Sequence, residues 1–449
     1  MRPAIAAALS AAVLSGCATH TITAPSVRGH MEFMASDAIN GRGSGTRDEW
    51  IAATYIASQL RRWGIEPLGD DGGYVQAVEL SRTQVAAPPV LTAGGLRLTH
   101  GKEMLVQGLT ALHVAGPLHK FQRGTAVAAG AIVLLPEDAG ADAAVAVNNA
   151  AAVLTSENAQ SRARWDVQGA RTISLPARIV ALPVQPAGAG RPTRITLDKT
   201  AHAAITALAD GTVISLDAIG TEVASHTWNA VGRLTGRDAA MTNDVILLTA
   251  HLDHLGGNGT GADKIFNGAD DDASGSAAVL ELAEALAKGK RPKRTVIFAW
   301  FGSEEAGGYG ARYFVERPPV PLERIIANLE FEMIGRTDKA VAAHTLWLTG
   351  YERSNLGPEL ARRGARIVAD PHPDQNFFER SDNITLARKG VVAQTVSSYG
   401  LHTDYHQVTD DVAHLDVAHM TDAIQSMLAP VRWLANSRFT PAWLPGKRP

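Results

Sequence analysis

In the C-terminal half of the chain, segments with the hydrophobic pattern of strands alternate with segments that have the pattern of helices. Apolar runs at Val245–Ala250, Thr295–Phe301 and Ile325–Phe331 have the length of buried strands. Between them, Gly275–Lys288 and Tyr309–Glu316 place their apolar residues at helical spacing. Strands that alternate with helices predict an α/β fold, in which a mixed, largely parallel sheet is covered by helices on both faces.

The N-terminal part of the chain has a helical pattern between Val27 and Leu68. Gly64 is expected to end the helix, because glycine commonly follows the last helical residue. The turn-rich segment Gly41–Gly45 (GRGSG) interrupts the pattern. From the sequence it is equally consistent with a loop beside a cleft and with a plain surface loop.

A segment of different character separates these two regions. It is rich in Ala, Val and Gly, and short strand-like runs occur at 131–135, 177–182 and 194–197. Because it contains no cluster of metal-ligand residues, we interpret it as an inserted β-rich domain that shapes access to a site. The predicted organisation is a signal peptide at 1–17, a tether and the N-terminal part of the catalytic domain at 18–95, the insert at 96–225, and the catalytic domain at 226–440.

Composition narrows the range of functions. A chain of 449 residues is too long for one ordinary core, which agrees with a two-domain organisation. The formal net charge of −3 and the lack of a basic stripe predict no nucleic-acid partner. The sequence does not indicate which oligomeric state the protein adopts.

The single cysteine follows a short apolar segment. Met1–Arg2 is a positively charged start, Ala4–Leu14 is apolar but too short to span a bilayer, and Cys17 completes the sequence LSGC. This ending resembles a bacterial lipobox, which implies cleavage before Cys17 and membrane attachment through its lipidated thiol. With Ala18 next, the resemblance implies the periplasmic side of the outer membrane. The alternative is an ordinary secretory signal with an incidental cysteine.

Hard oxygen donors and imidazoles concentrate where the predicted strands end. The segments are AHLDH at 250–254, NGADDDASG at 267–275 and GSEEAGG at 302–308. Ligands of parallel sheets bind beyond the carboxyl ends of the strands. Buried carboxylates without a cationic partner are costly, so the sequence predicts a site for a pair of divalent metal ions.

Several roles follow from the residue types. Asp253 lies two residues after His251, so its carboxylate is expected to hold the second ring nitrogen of a metal-binding His251. Glu304 and Glu305 are adjacent and can diverge, so that one binds metal while the other holds a proton beside it. Such a pair suits hydrolysis by a metal-activated water.

Taken together, these motifs resemble a known family. HLDH, NGADDDASG, GSEEAGGYGARYF, NLEFEMIGR, SDN and DYHQVTDD occur in this order. They are similar to the co-catalytic zinc exopeptidases of the bacterial leucyl aminopeptidases and glutamate carboxypeptidases. The similarity is weak over 26–80 and strong over 228–435, and the insert loosely resembles a protease-associated domain.

The resemblance implies two zinc ions per chain and a role for each matching residue. His251 would bind the first zinc, and Asp253 would orient it. Asp271 would bridge both ions, because the bridging aspartate of the family stands four residues before the final glycine of its motif. Glu305 would bind the second ion, and Glu304 would be the general base.

Two ligands come from farther along the chain. His406 would complete the second site, with His402 as a weaker rival. Glu332 stands where the family more commonly has aspartate before Met, and it is retained as a ligand of the first site. Glu330 is its competitor on the same strand face. His254 is interpreted as a supporting or packing residue.

The sequence therefore predicts a zinc-dependent aminopeptidase that acts on peptides. Tyr405 either donates a hydrogen bond to the tetrahedral oxyanion or packs beside His406. A carboxypeptidase or another amide hydrolase on the same fold, including a glutaminyl cyclase, is the alternative. A carboxypeptidase needs cations for the substrate carboxylate, and Arg336 and Arg380 are the candidates. A non-enzymatic binding ectodomain is disfavoured because every catalytic role has a candidate residue.

Overall fold

The computed structural model describes residues 21–137, 147, 149–183 and 192–449. The predicted signal peptide, including Cys17, lies outside these residues, so the lipoprotein assignment stays a prediction. Among the described residues, no helix combines the length and the apolar character needed to cross a bilayer.

The described part of the chain contains strands and helices that are numbered here in chain order. The strands are β1 (Glu66–Pro67), β2 (Val75–Val85), β3 (Val90–Ala93), β4 (Leu96–Thr99), β5 (Met104–Gly108), β6 (His113–Lys120), β7 (Ile132–Leu134), β8 (Ala152–Ser156), β9 (Arg178–Ile179), β10 (Thr193–Leu197), β11 (Val213–Asp217), β12 (Gly220–Leu234), β13 (Val245–His251), β14 (Thr295–Phe301), β15 (Ile325–Phe331), β16 (Leu346–Leu348), β17 (Ile367–Ala369) and β18 (Ala393–Ser397). The helices are α1 (Ala24–Met34), α2 (Arg47–Arg62), α3 (Ala159–Ala163), α4 (Trp165–Gly169), α5 (Lys199–Ala207), α6 (Gly275–Lys288), α7 (Tyr309–Glu316), α8 (Leu356–Arg362), α9 (Asn383–Arg388) and α10 (Val417–Leu434).

The chain divides into two compact units. Of the described residues, those up to Val78 and those of Thr227–Pro449 form the first unit, and those of Glu79–His226 form the second. The sequence placed the start of the insert at 96, which is later than this boundary. The earlier start has a structural reason: β3 pairs antiparallel with β11, so this segment belongs to the sheet of the second unit.

The first unit is built on a mixed sheet with the strand order β17-β16-β18-β15-β13-β14-β12. β13 is parallel to both β14 and β15, and β15 is parallel to β18. β12 is antiparallel to β14, and β16 is antiparallel to β18. The predicted mixed, largely parallel sheet is confirmed.

Helices cover both faces of this sheet because the buried strands are apolar on both sides. Ile246 and Leu248 of β13 point to the face covered by α1, α6 and α10. Leu247 between them packs on the opposite face with Phe314 of α7 and Leu386 of α9. The α/β class with helices on both faces is confirmed as well.

The N-terminal helical pattern forms two helices, α1 and α2, on either side of the predicted turn-rich break. Between them, Gly41 has φ +69°, and a Cβ added there would lie 2.3 Å from the carbonyl oxygen of Phe266. The Thr46 hydroxyl then accepts a hydrogen bond from the Asp48 amide and caps α2. Gly64 (φ +68°) follows the end of α2, as predicted.

The second unit is rich in strands, as the sequence predicted. Its eight-stranded arrangement has the order β4-β3-β11-β6-β7-β8-β10-β5, and its core includes Leu91, Leu118 and Ile195. The predicted runs at 131–135 and 194–197 correspond to β7 and β10. The run at 177–182 contains only the two residues of β9, and turns follow them.

Candidate metal centre

The ends of three parallel strands position the candidate residues. His251 is the last residue of β13, Glu304 and Glu305 follow β14, and Glu332 directly follows β15. Because these strands are parallel, their carboxyl ends lie at the same edge of the sheet. Asp271 reaches this edge from the irregular turn Ala269–Ser274, which precedes α6.

A first group of candidate ligand atoms consists of His251, Asp271 and Glu332. One atom from each residue lies within 4.8 Å of the others. His251 Nε2 is 3.1 Å from Asp271 Oδ1. Burial raises the pKa of Glu332 to about 7, and the carboxylates of Asp271 and Glu305 act in the same direction. A cation among these residues would relieve that repulsion.

A second group shares Asp271 with the first. His254, Asp271 and Glu305 meet the same distance condition. His406 Nε2 is 3.2 Å from Asp271 Oδ2 and 3.2 Å from Glu305 Oε1. His251 approaches one oxygen of Asp271 and His406 approaches the other, so this carboxylate is placed to bridge two ions.

The structure places His254 closer to the centre than the sequence interpretation did. Its side chain is fully buried, and its Nδ1 is 2.8 Å from Glu305 Oε1. The backbone around it explains the position: a Cβ at Gly268 would lie 2.5 Å from His254 Cγ. The glycine therefore leaves room for the imidazole beside the second group.

The two neighbours of Asp271 accept hydrogen bonds from backbone amides and belong to neither group of ligand atoms. Asp270 Oδ1 accepts a hydrogen bond from the Gly335 amide at 2.7 Å. Asp272 accepts from the amides of His251, Gly275 and Met333. Only Asp271 is left to face the two groups.

Asp410 and Arg42 fix the aspartate turn. Asp410 accepts hydrogen bonds from the amides of Asp270 and Asp271 at 3.0 to 3.1 Å. The Arg42 side chain is fully buried and donates to the carbonyl oxygens of Leu252, at 3.0 Å, and Gly268, at 2.9 Å. The sequence analysis missed both residues. Their only local signals were an arginine within GRGSG and an acid near His406.

The donor set fits divalent zinc. His251 Nε2, His254 Nδ1, His406 Nε2 and Glu305 Oε1 are buried and have no hydrogen-bond partner. Buried polar atoms are normally paired, and imidazole nitrogens with carboxylate oxygens are common zinc ligands. Burial acts to lower the pKa of His251, but Asp253 and Asp271 hold it well above its ordinary value. The site thus attracts positive charge.

Glu304 lies at the centre without belonging to either group of ligand atoms. Its amide donates to Asp253 Oδ1 at 2.9 Å. Burial raises its pKa well above the ordinary value; His251 opposes this, whereas Asp382 and Glu332 add to it. A carboxylate with a raised pKa is a stronger proton acceptor, which suits a general base.

Asp253 contacts more than the predicted histidine. Its Oδ1 lies 3.7 Å from His251 Nδ1, which is an ion-pair separation and longer than a hydrogen bond. Its Oδ2 accepts a hydrogen bond from the Ser44 hydroxyl at 2.5 Å. The GRGSG segment therefore lies beside the centre, which decides between the two alternatives left open by the sequence.

The two competing residues belong to neither group of ligand atoms. Glu330 Oε2 accepts a hydrogen bond from the Asn383 amide at 2.6 Å. His402 Nε2 lies 2.9 Å from Asp270 Oδ2, one aspartate away from the shared carboxylate. These contacts favour Glu332 and His406 over their rivals.

Tyr405 stacks on His406 with a distance of 3.9 Å between the ring centroids. It also lines a cavity beside Glu332, together with Trp347, Phe377 and Tyr399. Burial raises the pKa of its hydroxyl, which therefore stays a neutral hydrogen-bond donor. Both roles considered for Tyr405 are compatible with this position.

The two candidate arginines differ. Arg336 is paired with Asp404 at 2.6 Å and with Asp410 at 3.3 Å, so its positive charge is already balanced by two carboxylates. Arg380 lines the same cavity and lies 5.0 Å from the ring centroid of Phe377. Within the described residues, no carboxylate lies at ion-pair distance from Arg380.

Comparisons with known proteins agree with this geometry. Residues 229–431 match the model of Peptidase family M28. An aminopeptidase of Pseudomonas aeruginosa is 42% identical over 96 residues, which cover 21% of this chain and 16% of that protein. Leucine aminopeptidase 2 of Trichophyton equinum is 28% identical over 175 residues, covering 37% and 32%. Each match spans less than a third of the relative's own length.

Solved structures share the fold over most of the chain. An aminopeptidase from Aneurinibacillus sp. strain AM-1 has a TM-score of 0.58 at 18% identity, covering 92% of this chain and 94% of that one. The zinc aminopeptidase BSAP from Bacillus subtilis has a TM-score of 0.52 at 18% identity, covering 93% and 96%. At this identity the likeness establishes the fold alone.

Proposed function

We propose that this chain, whose residues 229–431 match the model of Peptidase family M28, is a zinc-dependent aminopeptidase that releases N-terminal residues from peptides. One observation carries the proposal. Asp271 belongs to two groups of candidate ligand atoms, and the half-buried Glu304 follows β14 at the same sheet edge, where burial raises the pKa of its carboxyl. A shared carboxylate next to a proton acceptor is what metal-assisted peptide hydrolysis requires.

The chain would hold two zinc ions. His251, Asp271 and Glu332 would hold the first, and Asp271, Glu305 and His406 the second. When bound, such ions supply Lewis acidity that lowers the pKa of water and polarises a peptide carbonyl. The orphaned buried nitrogens of all three imidazoles near Asp271 support this assignment.

Glu304 would move the proton. Its side chain would accept a proton from the attacking water and return it to the leaving amine. Asp253 supports this role by holding the Glu304 amide at 2.9 Å, which fixes the backbone from which the carboxylate projects. Tyr405 would stabilise the developing oxyanion from the cavity side.

The named relatives favour cleavage at the amino end over the carboxypeptidase alternative. Those reported above are aminopeptidases by name, although each match covers only part of their length. Arg336 is not available for a substrate carboxylate because Asp404 and Asp410 hold it. Arg380 remains the one candidate cation of the pair.

The test is an assay of zinc-reconstituted protein on matched peptides. A tripeptide with free ends is compared with its N-acetylated form and with its C-terminal amide. An aminopeptidase cleaves the free and the amidated peptides from the amino end and leaves the acetylated peptide intact. A zinc chelator should abolish the cleavage, and added zinc should restore it.

The opposite pattern would refute the proposal. Cleavage of the acetylated peptide combined with loss of activity on the C-terminal amide indicates a carboxypeptidase, and Arg380 is then the first residue to change. Absence of all hydrolysis in a chain that binds zinc would remove the peptidase assignment itself.

A further inference from the structure

His254 is the fully buried imidazole at the centre to which the resemblance assigns no metal. Its Nδ1 lies 2.8 Å from Glu305 Oε1 and 3.9 Å from Asp271 Oδ2. The Nε2 of His406 lies 3.2 Å from each of the same two oxygens. Both rings therefore point a nitrogen at the same pair of carboxylate atoms.

These separations have the size expected for atoms that share one ion. With zinc–ligand distances of about 2.0–2.1 Å, two ligand atoms at the corners of a tetrahedron are about 3.3 Å apart. The four separations, 2.8, 3.2, 3.2 and 3.9 Å, scatter around that edge length. The Nδ1 of His254 is thus placed where a fourth ligand atom would lie.

The short contact between His254 and Glu305 is an ion-pair contact that lacks hydrogen-bond geometry. Although the two atoms are 2.8 Å apart, both Nδ1 of His254 and Oε1 of Glu305 lack a partner in hydrogen-bond geometry. The Nε2 of His254 is also unpaired and buried. An imidazole that merely packed here would leave its Nε2 desolvated without a partner.

The surrounding backbone holds the ring in place. The His254 amide donates to the Arg42 carbonyl oxygen at 3.0 Å. Gly268 has φ +56°, and a Cβ there would lie 2.5 and 2.6 Å from Cγ and Cδ2 of His254. The ring also meets His406 edge to face, with 5.6 Å between the centroids. Gly268 and His406 therefore pack against the His254 ring beside the two carboxylates.

We infer that His254 is a fourth protein ligand of the second metal site, beside Asp271, Glu305 and His406. The inference rests on the proposed function only in assuming that this centre binds zinc. The first site has three protein ligands, His251, Asp271 and Glu332. The centre is therefore asymmetric: the second site is filled by protein atoms and binds its ion more tightly, whereas the first keeps an open position, as catalytic sites do.

The decisive measurement uses zinc alone as the probe. The full chain is stripped of metal, loaded with one equivalent of zinc and studied by X-ray absorption. Two imidazoles on the bound ion, His254 and His406, are expected in wild type. A single imidazole overturns the inference, and this readout requires neither a variant nor an active enzyme.

Variants provide the second test, in which a chelator competes for zinc. His254→Ala should lower the zinc affinity of the tighter site by at least about 100-fold, and His406→Ala should have the same effect. This loss exceeds the loss that usually follows removal of a residue that only supports a ligand. His372→Ala is the matched control, because this histidine pairs with Asp338 at 2.9 Å and contacts none of the ligand atoms. Unchanged affinity in His254→Ala overturns the inference.

The outcome is separable from that of the proposed function. Zinc-dependent removal of N-terminal residues with a single imidazole at the tighter site leaves the aminopeptidase intact and removes the fourth ligand. Two imidazoles on the bound zinc ion without peptide hydrolysis would support His254 as the fourth ligand and remove the aminopeptidase assignment.

Discussion

At Asp270, Asp271 and Asp272, three identical side chains meet three different environments. Asp270 and Asp272 accept hydrogen bonds from backbone amides, and only Asp271 faces the histidines on both sides. The sequence could nominate the central residue through its resemblance to a family motif. It could not show why the neighbours are needed, because their partners, such as Gly335, come from distant parts of the chain.

His254 shows a limit of local patterns at the residue scale. Sequence spacing put His251 and Asp253 on one face of an extended segment and left His254 as a supporting residue. In the structure β13 ends at His251, and the following residues turn towards Gly268 and Glu305. The position of the ring therefore depends on a tertiary contact that no spacing within HLDH encodes.

Tyr405→Phe tests the oxyanion role of the hydroxyl. The ring and its stacking on His406 are kept, so only the hydrogen-bond donor is lost. We expect kcat to fall about 10- to 100-fold with KM and zinc content nearly unchanged, because the donor acts on charge that develops during the reaction. Steady-state kinetics on an aminoacyl-amide measures this.

Tyr399→Phe is the matched control for that experiment. Tyr399 lines the same cavity, and its ring lies 5.4 Å from that of Tyr405. Equal losses of kcat in the two variants, or no loss in Tyr405→Phe, would assign Tyr405 to packing only.

At the scale of elements, α6 combines the candidate site at its start with a buried acid farther along. Glu281 is fully buried, and its carboxylate lies 3.7 Å from His30 Nε2 of α1. Burial raises the pKa of Glu281 to about 7, and burial lowers the pKa of His30 to about 4. Between these values both groups are neutral, so they do not form an ion pair.

Glu281→Gln should stabilise the protein at high pH. Because the pKa of Glu281 is higher in the folded state than in the unfolded state, folding stability falls as pH rises from about 4.5 to about 7. The Glu281→Gln variant has no carboxyl group to ionise at this position, so it does not lose folding stability over this pH range. Its free energy of unfolding should exceed that of wild type by up to about 3 kcal/mol at pH 8, with the gain vanishing near pH 4.5.

Urea unfolding at several pH values measures this difference. Glu284→Gln is the control on the same helix, because Glu284 pairs with the exposed Lys288 at 2.5 Å and should change stability by less than about 1 kcal/mol. A Glu281→Gln variant whose stability relative to wild type does not depend on pH would show that the glutamate is not held neutral.

Elements with strong periodicity were predictable. The predicted bounds of α6, α7, β14 and β15 agree with the structure. Their apolar residues are spaced regularly enough to distinguish a helix from a buried strand. The region from Val27 to Leu68 was harder: the glycine-rich break at Gly41–Gly45 was predicted, but the bounds of the helices on either side of it were not. The two-residue strand β9 has too few residues to carry a period.

At the scale of the whole molecule, the candidate centre is assembled from five separate stretches of chain. They carry His251 with His254, Asp271, Glu304 with Glu305, Glu332, and His406. Sequence analysis predicted this assembly in outline because parallel strands bring their carboxyl ends together. It could not predict the boundary of the second unit at Glu79, because the pairing of β3 with β11 joins residues far apart in the chain.

The central claim is that adjacent glutamates after β14 have separate roles, with Glu304 moving protons and Glu305 holding metal. The most direct test measures zinc per chain and hydrolysis of an aminoacyl-amide in Glu304→Gln and Glu305→Gln. These substitutions remove the same charge from neighbouring residues, so each is the control for the other.

The account predicts that Glu304→Gln keeps zinc near two per chain and loses about 100- to 10 000-fold in turnover, because only general-base catalysis is removed. Glu305→Gln should lose both turnover and the zinc of the second site. Turnover near the wild-type rate in Glu304→Gln, or zinc loss from it equal to that of Glu305→Gln, would contradict the account.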